Sequence, residues 1–166
     1  MKNIIEFINE KLKVVKNNKK SETISFTTVD DLKEHIKQEI KKESIKLNNG
    51  KIFLDLTNID ISNLNSIASL FNVSDHYIKQ ITTIDVSNWN TSNIESFYET
   101  FFNLYNLEKI IGIEDWDISN AKDMVGLFAY CKKLKLNLEN WDIPVNCITN
   151  DINKSAPNVK FNEDVL

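Results

Sequence analysis

Residues 84–94 read Ile84-Asp85-Val86-Ser87-Asn88-Trp89-Asn90-Thr91-Ser92-Asn93-Ile94, and this pattern recurs along the 166-residue chain. The other copies begin Asn58-Ile59-Asp60-Ile61-Ser62-Asn63-Leu64, Asp115-Trp116-Asp117-Ile118-Ser119-Asn120-Ala121 and Asn140-Trp141-Asp142-Ile143. We call the second residue of each string the anchor and number the copies one to four. The Trp anchors are 27 and 25 residues apart, and the fourth copy loses the pattern soon after its anchor.

Apolar residues hold fixed distances from the anchors. Those five and three residues before an anchor are Leu54 and Leu56, Ile84 and Val86, Ile111 and Ile113, and Leu136 and Leu138. A spacing of two predicts a short strand with one buried face. Those eight and twelve residues after an anchor are Ile67 and Phe71, Phe97 and Phe101, and Met124 and Phe128. A spacing of four predicts a short helix, with Ser62, Ser92 and Ser119 as N-caps and Glu95 completing one capping box.

One such unit cannot bury its own apolar residues, whereas units stacked at this period bury them in columns. The sequence therefore predicts an α/β fold: a short leucine-rich-repeat-like solenoid with a small parallel sheet and a helical N-terminal cap. We expect the cap in residues 1–50, three to four repeats in 51–145, and a C-terminal cap or tail in 146–166.

The N-terminal region has two amphipathic patterns of its own. Residues 4–15 predict one helix, and Thr28 is the expected N-cap of a second helix that ends near Glu43. A short strand at 23–27 and a strand beginning near Lys51 are also expected. The first helix is a cap with a solvated basic face or, alternatively, binds a membrane surface through its clustered lysines.

The repeated string resembles the repeat of the BspA-type leucine-rich-repeat family, known from bacterial surface proteins and mycoplasma lipoproteins. Residues 84–94 are similar by residue type to that repeat at nearly every position, and Leu127-Phe128-Ala129-Tyr130-Cys131 is similar to its Met-Phe-x-x-Cys segment. The resemblance covers about residues 52–145. It implies adhesion or other protein contacts, often at a cell surface. Small intracellular or phage-encoded members of the family suit this chain better.

Charge and hydropathy limit the classes of function. All 20 basic residues are Lys, with a net charge of +4 in residues 1–51 and −8 in residues 52–166. The acidic repeats argue against nucleic-acid binding, which needs a positive surface. No apolar stretch reaches the length of a membrane span, and the N-terminus does not read as a signal peptide. As written, the chain is expected to be cytoplasmic, with a surface location only if a leader is missing.

No catalytic grouping stands out. His35 is expected to be a solvated helix residue, and Ser74, Asp75 and His76 are sequence neighbours, which does not make a triad. Cys131 and Cys147 are expected to be free thiols. We expect a protein that is not an enzyme and that has no cofactor or metal site.

Two repeated features have alternative interpretations. The stacked residues Asp60, Asn90, Asp117 and Asp142 form hydrogen bonds with the turn backbone or, alternatively, a calcium ladder. The three Trp anchors form a buried column or, alternatively, a platform on which sugars stack.

Strand residues that point outward are the candidate binding residues. They are Asp55, Thr57, Asp85, Ser87, Glu114, Asn137 and Glu139, with Gly112 on the same face. They would form a polar, net-acidic face for a protein partner with basic or hydrogen-bond-donating groups. The sequence thus predicts a non-enzymatic protein-interaction module. The alternative is a structural or self-associating component, such as a virion accessory or adhesive unit.

Overall fold

The computed structural model describes residues 22–46, 50–72 and 76–162. The predicted helix over 4–15 lies outside these residues. These described residues have a mixed α/β fold, in which one α-helix accompanies several small parallel sheets. The helix is α1 (Val29–Lys46), and the strands are β1 (Ile24–Ser25), β2 (Ile52–Asp55), β3 (Ile59–Asp60), β4 (Ile81–Asp85), β5 (Lys109–Ile111), β6 (Leu136–Leu138) and β7 (Val159–Phe161).

Helix α1 confirms the predicted second helix and its cap. The hydroxyl oxygen of Thr28 accepts a hydrogen bond from the backbone N–H of Asp31 at 3.1 Å, as an N-cap does. The helix continues to Lys46, one turn beyond the expected end at Glu43. Its buried face consists of Leu32, Ile36 and Ile40. This face packs α1 against β2, the edge strand of the main sheet.

The strands pair in parallel, as the sequence predicts, but the described strands form three small sheets instead of the single predicted sheet. Strands β2, β4 and β5 form one sheet in that order, β6 pairs with β7, and β1 pairs with β3. In β2 the inward residues Ile52 and Leu54 are buried, and the outward residues Phe53 and Asp55 are exposed. This alternation buries one face of the sheet and leaves the other face open.

The third copy departs from the predicted register. Ile110, rather than Ile111, pairs with Ile84, because one extra residue lies between strand and anchor. The chain accommodates the extra residue at Gly112, which has a φ of 82°, and a 3-10 turn follows at Ile113–Asp115. The prediction that Ile111 points inward and Gly112 outward is therefore wrong, since Gly112 is buried and Ile111 is half-buried.

The short helix predicted after each anchor is also wrong. In the described copies this segment is a run of linked turns, closed by bonds such as Leu70 N–H to Ile67 O at 3.2 Å. The remaining N–H groups donate to the next copy, as Ile67 does to Ser96 O at 3.0 Å. Because neighbouring copies satisfy the backbone, no helix is needed. The predicted caps, such as Ser92, instead donate their own N–H to the side chain two residues earlier.

These turns repeat their backbone conformation from copy to copy. The residue ten positions after each anchor is left-handed: Ser69, Glu99, Gly126 and Asp151 have φ of 52°, 49°, 61° and 57°. Three of the four are not glycine, so the surrounding bonds hold a conformation that such residues rarely adopt. The fourth copy keeps it although its sequence has diverged, and the same pairings continue to Lys154, past residue 145.

Aromatic side chains stack through the core. Trp89 and Trp116 lie 6.1 Å apart at an interplanar angle of 7°, and Phe101 stacks on Phe71 and Phe128 at 5.3 and 5.8 Å. The three Trp anchors are only 5–7% exposed. The buried-column interpretation is therefore confirmed, and the sugar-stacking alternative is wrong because no indole face is open.

Replacing Gly112 should destabilise the protein strongly. A Cβ there would lie 2.3 Å from the Cα of Ser87, so backbone must move as well as adopt a left-handed conformation. We expect Gly112→Ala to lower the free energy of unfolding by about 2–4 kcal/mol in denaturant titrations. Gly50 is the matched control, because it has φ +66° with nothing within 4 Å. Gly50→Ala should cost about 1 kcal/mol. Equal losses would contradict a steric role for Gly112.

Candidate interaction surface

The open face of the main sheet has two rows of side chains. Phe53, Thr83 and Lys109 are paired positions across β2, β4 and β5, and Asp55, Asp85 and Ile111 form the next row. Because the strands are parallel, their amino ends lie at one edge of the sheet and their carboxyl ends at the other. Lysines Lys51 and Lys109 therefore lie towards the amino ends of the strands, and Asp55 and Asp85 lie at the carboxyl ends. The predicted net-acidic face is thus a mixed face whose acidic part is confined to one edge.

The two aspartates have a structural role in addition to their charge. Asp55 Oδ1 accepts hydrogen bonds from the N–H and hydroxyl of Thr57 at 3.0 and 2.7 Å. Asp85 Oδ1 accepts the same pair of bonds from Ser87. These bonds hold the turns that leave the strands. Two carboxylates on paired residues of neighbouring strands repel each other, which a cation from a partner would relieve.

The remaining predicted residues lie elsewhere. Glu114 is exposed in the 3-10 turn, beyond the end of β5. Asn137 lies on β6, in the separate β6–β7 sheet, and its Oδ1 accepts the Glu139 N–H at 3.0 Å. The structure therefore groups Asp55 and Asp85 at one edge of the main sheet, with Thr57 and Ser87 in the turns that follow them.

Sequence reasoning missed Phe53, which is 47% exposed on the outward face of β2. The alternation of Ile52, Phe53 and Leu54 could have placed it there. A shallow cavity of about 290 Å³ lies beside its ring. Residues lining the cavity include Glu39 and Glu43 of α1, together with Asp55 and Thr57. An exposed aromatic ring among carboxylates suits a cationic or hydrogen-bond-donating group with an apolar stem.

The residues after the anchors form turns. Oδ1 of Asp60, Asn90 and Asp117 each accepts the N–H of the serine two residues later, at 2.9, 3.1 and 3.0 Å. The turn interpretation is therefore confirmed for these three. The bonds from Ser62 and Ser119 lower the pKa of Asp60 and of Asp117. Over the described ranges, no three His, Cys, Asp or Glu residues are grouped so that they could hold a metal ion.

The nucleophilic and titratable groups considered earlier are dispersed. His35 is half-buried, with its ring 5.3 Å from that of Phe26, rather than solvated as predicted. The side chains of Ser74, Asp75 and His76 lie outside the described residues. Cys131 and Cys147 are free, as predicted. Burial raises the pKa of the Cys131 thiol to about 12, so it is an unreactive core group.

A comparison with protein families matches residues 38–165 to the family described as Mycoplasma protein of unknown function, DUF285. The chain belongs to this family. The match spans all four copies, together with the C-terminal part of α1. No curated protein and no solved structure matches the DUF285 chain. Within its described residues, no helix has both the length and the apolar composition needed to cross a bilayer.

Two substitutions separate the charge of Asp85 from its turn. Asp85→Asn keeps an Oδ1 acceptor for Ser87 and should change the free energy of unfolding by less than about 0.5 kcal/mol. Asp85→Ala removes both bonds and should lower it by about 1–2 kcal/mol. Urea unfolding followed by circular dichroism measures both. If Asn were as costly as Ala, the carboxylate charge itself would be stabilising.

Proposed function

We propose that this DUF285 chain is a non-enzymatic protein-interaction module, built as a short leucine-rich-repeat-like solenoid of the BspA type. The observation that carries the proposal is Phe53, a large aromatic residue left 47% exposed on an open sheet face beside Asp55. Exposed aromatic residues flanked by polar groups are typical centres of protein-binding surfaces.

Recurring backbone geometry supports the solenoid part of the proposal. Parallel bridges connect Ser66 to Ser96, Ser96 to Asp123 and Asp123 to Ile148, seven residues after successive anchors. Side chains form a second column, in which Asn93 and Asn120 donate to Ser62 O and Ser92 O of the preceding copy. Contacts between equivalent positions of successive copies are what a stacked repeat requires.

The partner is proposed to be a protein segment with a basic residue beside an apolar one. Its apolar part would pack on Phe53, and its cation would lie between the paired carboxylates of Asp55 and Asp85. Lys109, at the opposite end of the face, would repel a second cation and so fix the direction of the segment. This arrangement needs no catalytic group, cofactor or metal.

Capture of the partner from a lysate of the source cell tests this function. The full-length chain is immobilised, and bound proteins are identified and quantified by mass spectrometry. We expect one stoichiometric partner whose capture falls at least about tenfold with Phe53→Ala. We expect a similar loss with the double variant Asp55→Asn and Asp85→Asn, which removes two charges and keeps the turn bonds of both aspartates.

A second double variant is the control: Glu34→Gln and Glu95→Gln. It removes the same charge from exposed residues away from the sheet face and should leave capture unchanged. Unchanged circular dichroism would show that all variants are folded. Full capture by both face variants, or equal losses with the control, would overturn the proposed surface.

A further inference from the structure

Hydrogen bonds between the copies run mainly in one direction. In the first copy, the N–H groups of Ile67, Ser69 and Phe71 donate to carbonyls of the second copy at 3.0, 2.7 and 3.2 Å. The second and third copies repeat this pattern with their own next neighbours. Each copy therefore presents mostly N–H donors towards the C-terminal end of the array and mostly carbonyl acceptors towards the other end. The exception is one carbonyl per copy, such as Asn65 O, which accepts from Glu95 N–H of the next copy at 2.8 Å.

At the last copy, the equivalent donors are the N–H groups of Thr149, Asp151 and Asn153. Within the described residues, none of these three has an acceptor. At the first copy, the equivalent acceptors are the carbonyls of Ser66, Ala68 and Leu70. None of them receives a hydrogen bond from a described residue. Among the described residues, the two ends of the array thus carry complementary backbone groups at the same residue spacing.

The backbone conformation of the two ends matches as well. Ser69 in the first copy and Asp151 in the fourth have φ of 52° and 57°, so both end segments have a left-handed residue at the same position as the copies between them. Ile148 occupies the bridge position of the fourth copy and is 53% exposed. Ser96 and Asp123, at the same position inside the array, are half-buried. An apolar residue is therefore exposed where the next copy would lie.

We propose that the C-terminal side of the fourth copy binds the first copy of a second molecule of the same chain, head to tail. Thr149, Asp151 and Asn153 would donate to Ser66, Ala68 and Leu70 of that molecule, and its Ser66 side would cover Ile148. Two such ends would each bring mostly donors, so the hydrogen-bond pattern favours this heterologous contact over a closed symmetric dimer through the same side. The contact is heterologous, and association is open-ended.

The contact is confined to one side of the array. Strand β1 already pairs with β3 beside the first anchor, α1 covers β2, and β7 covers β6. The two molecules can therefore meet along the turn segments only, tilted away from each other elsewhere. A small contact of this kind gives weak association, on the order of 100 µM. The inference does not depend on the proposed function, because the Phe53 face takes no part.

Sedimentation velocity of the full chain from about 10 µM to about 1 mM tests the proposal. We expect the average mass to rise from the monomer value of 19.2 kDa past twice that value without a plateau. Thr149→Pro removes one donor that has no described acceptor, so it should not weaken the fold. Ile148→Lys places a charge in the proposed contact. Each of these two variants, made singly, should shift association to at least tenfold higher concentration.

Thr149→Ser is the matched control, because it keeps the backbone N–H and should associate as the parent does. Thermal unfolding of each variant at low concentration checks that the monomer is intact. A monomer at every concentration, a plateau at the dimer mass, or association unaffected by both Thr149→Pro and Ile148→Lys would each overturn the head-to-tail contact.

Discussion

Backbone hydrogen bonding between equivalent positions of successive copies is the constraint on which the rest of this structure depends. In each turn segment, the N–H groups that do not bond within the turn donate hydrogen bonds to carbonyls of the next copy. These bonds fix the distance between neighbouring copies. At that separation the aromatic rings of Phe71, Phe101 and Phe128 stack at 5.3 and 5.8 Å. The columns of buried side chains therefore follow from the backbone pairing, and they exclude the water that would compete with it.

The sequence predicts the period, the inward columns, α1 and the parallel strands, because these depend on spacing alone. It does not distinguish a helix from linked turns after the anchors, since both place residues four apart, such as Ile67 and Phe71, on one side. Alignment of the copies on Trp116 also cannot show that the third copy has one extra residue between its strand and its anchor, or where that residue lies. Gly112 was the available signal, because it is the residue that tolerates both positive φ and a close backbone contact.

The candidate surface was also predictable only in part, because one sequence pattern is compatible with two roles. Alternation along β2 identifies outward residues, and it identifies Phe53 as well as Asp55. However, the pattern of an acidic residue followed two positions later by Thr or Ser serves a turn and a binding face equally well. At Asp55 and Asp85 one carboxylate oxygen holds the turn, and the charge remains on the open face. Recurrence of aspartate at these positions is therefore no evidence of binding by itself.

Directional pairing also links the architecture to the ends of the array. Strands in an ordinary sheet expose alternating donors and acceptors at each edge, so two identical edges can pair. Here the turn segments place most donors at one end and most acceptors at the other, so two identical ends are poorly matched. A protein built this way must cover each end differently, as α1 and β1 do on two sides of the first copy. Among the described residues, the turn segments at the two ends are complementary to each other, so in the proposed head-to-tail contact the bonds that hold the copies together would also hold whole molecules together.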